Sequence, residues 1–122
     1  MKKRITAEKR LLLKYIFPGS QLAPIGQTVS CMETCGFELH DVEAWREHYA
    51  LTCEHWCRRL IANKQQAIAL VGLEKYNLWV AYLAGVAYGF ASGSILIFQA
   101  VATKRSKEKG LSGMPLTRAD LY

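Results

Sequence analysis

Ser94-Ile-Leu-Ile-Phe-Gln-Ala-Val-Ala102, near the end of a chain of 122 residues, decides how the rest is read. Apolar side chains fall on both of its faces instead of alternating with polar ones, and such a strand belongs inside a sheet that is covered on both sides. A second stretch reads as a strand, Phe37-Glu-Leu-His-Asp-Val-Glu43. An interior strand needs two neighbours, and the sequence encodes one. An uncovered apolar edge invites pairing with another chain. The expectation is therefore an α/β chain, mostly helical with strands at about 37–43 and 94–102. It forms either the last part of a larger domain or a sheet completed by a partner.

Upstream of the 94–102 strand, Gly89-Phe-Ala-Ser-Gly93-Ser reads as a turn. Before it, a helix over about 74–90 stacks Trp79, Tyr82, Leu83, Val86 and Phe90 on one face. Trp45, Tyr49, Thr52, Trp56 and Leu60 recur at intervals of four, three, four and four, one continuous stripe on an earlier helix. Glu54 and Arg58 form an i,i+4 pair on its wetter side. A further helical stretch runs over about 63–71, where Gly72 interrupts. Pro24 favours the first turn of a helix that carries Ile25, Val29 and Met32 and ends before Gly36. Residues 5–17 suit a short basic amphipathic helix stopped by Phe17-Pro18-Gly19. The three tryptophans are most simply core.

Composition narrows the classes. At 51% hydrophobic and 21% charged the chain is no disordered tail. At 122 residues it is about half the length that a doubly wound domain with cofactor and substrate sites needs. The net charge of +6 gathers at the ends: residues 1–15 carry +5, residues 104–122 carry +3, and the middle carries −2. Basic ends on a near-neutral body suit phosphate in lipid headgroups. Nucleic acid is not expected, because the bases are not interleaved with the aromatics. From Tyr76 to Thr103 there are 28 residues without a formal charge, enough to imitate a membrane span. The Gly-Ser break divides that run into a buried helix and a buried strand.

The cysteines form two equally spaced pairs, Cys31-x3-Cys35 and Cys53-x3-Cys57. Zinc knuckles use tighter turns, so no metal is expected even with His48 and His55 nearby. The apolar run Leu11–Leu13 is hemmed in by Arg10 and Lys14 and does not read as a secretory leader. Free, mostly buried thiols in a reducing cytoplasm follow, and the basic ends suit a peripheral place on the inner face of the membrane.

Five stretches then occur in one order: Lys14-Tyr-Ile-Phe-Pro-Gly19, Cys35-Gly-Phe-Glu-Leu-His-Asp-Val-Glu43, Arg46-Glu-His-Tyr-Ala-Leu-Thr52, Tyr82-Leu-Ala-Gly85 and Gln99-Ala-Val-Ala-Thr-Lys104. Together they resemble the carboxyl-terminal third of the cyclopropane-fatty-acyl-phospholipid synthase family, which includes the mycolic acid cyclopropane synthases. The resemblance implies the carboxyl-terminal part of a class I, Rossmann-like methyltransferase domain over residues 1–104, with 105–122 a basic tail. It makes 37–43 the sixth strand and 94–102 an antiparallel seventh. It implies S-adenosylmethionine and bicarbonate as cofactors, and methyl transfer to the cis double bond of a phospholipid acyl chain followed by closure to a cyclopropane.

By the same resemblance Tyr49 positions the bicarbonate, and Phe17, Tyr82, Val86 and Phe90 are candidates to line the acyl pocket. Many members carry a cysteine where this chain has Val86, which hints at an altered pocket. No G-x-G follows a strand here, so no residue is assigned to the S-adenosylmethionine site and the chain is expected to be inactive alone. Two alternatives stay open: a non-catalytic basic module that contacts lipid surfaces or partners, and one subunit of a split methyltransferase. The expected partners are a phospholipid membrane surface and either an amino-terminal methyltransferase half or further copies of the chain.

Overall fold

The computed structural model describes residues 12–105 and 110–120. They fall into two compact units, one of residues 12–22 with 45–97, the other of 23–44 with 98–120. In the second unit, Pro24 holds an extended backbone ahead of helix α1, Ile25–Thr34. Its missing N–H costs nothing at a helix start, where the first donors have no intrahelical partner. Ile25, Val29 and Met32 are the half-buried residues of α1, the face that the spacing predicts, and α1 packs on strand β1, Phe37–Ala44. Gly36 ends the helix at φ +83°, a conformation that strains any residue with a side chain.

β1 pairs antiparallel with β2, Phe98–Lys104, from Phe37 opposite Lys104 to Ala44 opposite Phe98. Between Leu39 and Asp41 the register shifts, leaving His40 as the extra residue of a bulge. The His40 ring compensates: Nε2 lies 2.8 Å from Thr103 Oγ1 across the ladder. Arg118, in the tail, reaches back to Asp41 at 2.9 Å and Glu43 at 3.4 Å. Among the described residues the sheet has these two strands, so the second neighbour that the apolarity of 94–102 calls for is not among them.

The last strand begins four residues later than the sequence suggests, at Phe98 instead of Ser94. Ser94-Ile-Leu-Ile97 belongs to the helical unit. The amides of Ser94 and Ile95 both donate to the Gly89 carbonyl, at 3.0 and 3.2 Å, and the Ser94 hydroxyl joins them at 3.1 Å. Ile95 also lies against Gly89 so closely that a Cβ there would stand 3.1 Å from it. Local hydroxyl-to-backbone bonding thus overrides a strongly strand-forming run.

The helical unit is built on α2 (Arg46–Ala62), α3 (Lys64–Val71) and α4 (Leu73–Ala91), with α2 and α3 both packed on α4. Gly72, at φ +82°, makes the corner between α3 and α4. Its core is Cys53 and Cys57 from α2 against Tyr76, Leu83 and Phe90 from α4. This corrects the aromatic stripe: Trp56 and Trp79 are 46% and 41% exposed, and the covered line of α2 runs through its thiols. Cys31 and Cys35 are exposed, against the expectation of mostly buried cysteines.

Of the helix expected over 5–17, residues up to 11 lie outside the described residues, and Leu12–Ile16 forms one π-helical turn. The stop at Phe17-Pro18-Gly19 is present, with the Ser20 amide donating to the Phe17 carbonyl at 3.1 Å. No helix among the described residues is long and apolar enough to cross a membrane.

Candidate functional site

Tyr49 lies in the first turn of α2 and Phe90 in the last turn of α4, and their rings meet edge to face with centroids 5.7 Å apart. Aromatic pairs favour this geometry because the positive ring edge faces the negative ring surface. The Tyr49 hydroxyl makes no hydrogen bond to any described residue, which leaves a donor free beside an aromatic face. Tyr82, Val86 and Phe90 follow at intervals of four on α4, one row along the helix. Tyr82 meets Phe17 at 5.9 Å and Trp79 at 5.3 Å, both edge to face. The structure therefore brings Phe17 to Tyr82 and Tyr49 to Phe90, with half-buried Val86 midway between the two pairs along α4.

Two further residues were not assigned to this site from the sequence. Cys53 follows Tyr49 by one turn, and burial pushes its thiol above the ordinary 9.0. The Tyr82 phenol is pushed above 10.0, first by burial and then by the negative charge of an ionised Cys53. Both groups stay neutral near pH 7, so this stretch of wall is apolar but carries hydroxyl and thiol groups. Arg46 is the other residue. Its Nη1 donates to the Phe90 carbonyl at 2.7 Å and to the Ala91 carbonyl at 3.1 Å, while Nη2 pairs with Glu47 at 2.8 Å. A cation in the first turn of its own helix opposes the dipole there, but at the C-terminus of α4 the charge is favourable. That mismatch was the available signal for a tertiary partner.

Chemically, aromatic faces can stabilise a developing positive charge. A phosphate- or cofactor-cradling turn of a doubly wound fold joins a parallel strand to a helix. Among the described residues the two strands are antiparallel, and Gly36, Gly72 and Gly93 follow helices instead of strands. Beside Phe90, Tyr49 offers one hydrogen-bond donor, while Arg46 is committed to Phe90, Ala91 and Glu47. His48 and His55 are exposed, and among the described residues no three His, Cys, Asp or Glu side chains gather as a metal site would need.

Residues 1–100 match the family model of mycolic acid cyclopropane synthetase. The chain belongs to this family. It is 37% identical over 109 residues to a probable fatty acid methyltransferase of Pseudomonas putida, covering 89% of this chain and 27% of that protein. It is 37% identical over 95 residues to cyclopropane mycolic acid synthase 1 of Mycobacterium tuberculosis, covering 78% of this chain and 33% of that one. Among solved structures, the mycolic acid cyclopropane synthase CmaA1 complexed with SAH and CTAB superposes with a TM-score of 0.75 at 36% identity. That match covers 80% of this chain and 34% of the other. The chain thus spans about a quarter to a third of these relatives, and it carries the carboxyl-terminal part of a class I methyltransferase fold. The antiparallel β1–β2 pair accords with that placement.

Proposed function

We propose that this chain supplies the acyl-facing part of an S-adenosylmethionine-dependent methyltransferase that acts on the unsaturated acyl chains of phospholipids. The observation that carries the reading is the Tyr49 hydroxyl, set against the Phe90 ring without a hydrogen-bond partner among the described residues, in a chain of this family. A hydroxyl kept free beside an apolar aromatic wall is suited to orient a small base next to a carbocation, and the aromatic faces favour the cation itself. Tyr49 is assigned to bicarbonate positioning as a hydrogen-bond donor. Phe17, Tyr82, Val86 and Phe90 are assigned to the acyl lining, with Cys53 beside them.

In this reading S-adenosylmethionine is held by residues other than these 122, and the chain is inactive alone. Residues 1–104 form the methyltransferase part and 105–122 a basic tail, and the protein works peripherally on the inner face of a membrane. The test mixes the purified chain with the separately expressed amino-terminal part of the Pseudomonas putida relative and follows labelled methyl transfer to unsaturated phosphatidylethanolamine. Transfer is expected from the mixture and not from either part. Micromolar binding of S-adenosylmethionine by this chain alone, or a stable complex of the two parts that transfers nothing, overturns the reading.

A further inference from the structure

The helical unit carries a second feature that the Tyr49 wall does not use. Trp56, Leu60, Leu70, Val71, Tyr76 and Trp79 line a groove of about 420 Å³ between α2, α3 and α4, with wholly apolar walls. Leu70 is 84% exposed, and Trp56, Val71 and Trp79 are each more than two-fifths exposed. So large an apolar surface left open on a small unit marks a place of contact. Trp56 is at once a wall of a neighbouring hollow of about 360 Å³, shared with Thr52, His55 and Arg59. Lys64 Nζ stands 5.9 Å over the ring of Tyr76. Arg59 and Lys64 have no acidic partner among the described residues, whereas the nearby Glu54 is taken by Arg58 at 2.6 Å. The groove therefore has an apolar floor and a cationic rim.

We infer that this groove and rim form the surface by which the helical unit seats on an anionic phospholipid bilayer. The charge pattern selects the occupant. Anionic headgroups complement Arg59 and Lys64, and the exposed Leu70 and Val71 reach the acyl boundary beneath them. Trp56 and Trp79 present an apolar body with one polar edge, the side chain suited to the headgroup level. A second copy docked face to face would set the same cationic rim against itself, because a two-fold contact is made of one patch twice. The inference rests on the acyl-lipid reading above for its choice of phospholipid, but vesicle binding can be measured without methyl transfer.

The test uses the whole chain with vesicles of phosphatidylglycerol in phosphatidylcholine, read by sedimentation and by tryptophan fluorescence in a Trp45→Phe background. Binding is expected to the mixed vesicles and not to pure phosphatidylcholine, with quenching of Trp56 and Trp79 by brominated acyl chains. Leu70→Glu, at an exposed position, is expected to weaken binding at least about tenfold, and Arg59→Gln and Lys64→Gln about fivefold each. Unchanged circular dichroism shows that these variants fold. The proposal is overturned if Leu70→Glu binds like the parent while neutralising Lys2, Lys3 and Arg4 abolishes binding. It is equally overturned if Leu70→Glu leaves vesicle binding untouched and instead splits a dimer or stops association with the amino-terminal part of the relative. Vesicle binding without methyl transfer in the reconstituted mixture counts against the proposed function alone. Transfer to detergent-dispersed lipid without vesicle binding counts against this surface alone.

Discussion

Arg46→Gln cuts a tie between the start of α2 and the end of α4, and its cost can be worked from the geometry. The guanidinium donates to two carbonyls, at 2.7 and 3.1 Å, and its side chain is 29% exposed. Losing a bond from an ionised donor costs roughly 1.5–3 kcal/mol, and loss of the charge at the C-terminus of α4 adds about 0.3–1 kcal/mol. Water reaches part of the site, and a glutamine amide can remake one of the two bonds, so the net expectation is a loss of about 2 kcal/mol. For a chain of this size that lowers the Tm by about 8 °C. Urea unfolding followed by circular dichroism measures it, with an unchanged slope required for a clean comparison.

The control is Glu47→Gln. Glu47 is 83% exposed, and its ion pair with Arg46 is expected to contribute less than about 0.5 kcal/mol. Salt should hardly alter the Arg46 effect, because the bonds to the carbonyls are short and partly shielded. If Arg46→Gln unfolds within about 0.5 kcal/mol of the parent, or Glu47→Gln costs as much, the carbonyl tie is not what holds the helix ends together.

Three other outcomes follow from the same contacts. Cys53 and Tyr82 hold their protons more tightly when folded, above the ordinary 9.0 and 10.0. Their contribution to stability is therefore complete below about pH 9 and falls as pH rises through the raised values. Urea midpoints measured into alkali check this, and Cys53→Ala should remove the first part of the decline. A thiol reagent should titrate Cys31 and Cys35 in the native chain and Cys53 and Cys57 only in denaturant, as their burial dictates. Thr103→Val removes the partner of His40 at the bulge and is expected to cost about 1 kcal/mol in the same unfolding assay.

The helices were legible because their signals are local. Pro24 before α1, Gly36 after it, Gly72 between α3 and α4, and the four-residue recurrence through Tyr82, Val86 and Phe90 all act within a few turns. What covers a helix face is not local. Trp56 and Trp79 look like core by size, but neighbouring helices close over Cys53, Cys57 and Leu83 and leave the indoles at the groove. The strand boundary failed for a related reason. Ile95-Leu-Ile97 has strand propensity, but the Ser94 hydroxyl and two amides satisfied by Gly89 decide its conformation.

At the candidate site, the family's ordered motifs point to Tyr49, which the structure sets against Phe90, whereas the placement of Cys53 and Arg46 has no such signal. Nothing in the spacing says that a buried thiol faces Tyr82, or that an arginine leaves its own helix to cap another.

The most direct measurement compares Tyr49→Phe with the parent chain in the methyltransferase rebuilt with the amino-terminal part of the relative. The hydroxyl has no hydrogen-bond partner to lose among the described residues, so unfolding stability should stay within about 0.5 kcal/mol. Methyl transfer to the unsaturated lipid should nevertheless fall about a hundredfold, as when one preorganised donor is removed from a reacting centre. An unchanged rate in the phenylalanine variant would contradict the account, because the free hydroxyl would then have no part in the chemistry.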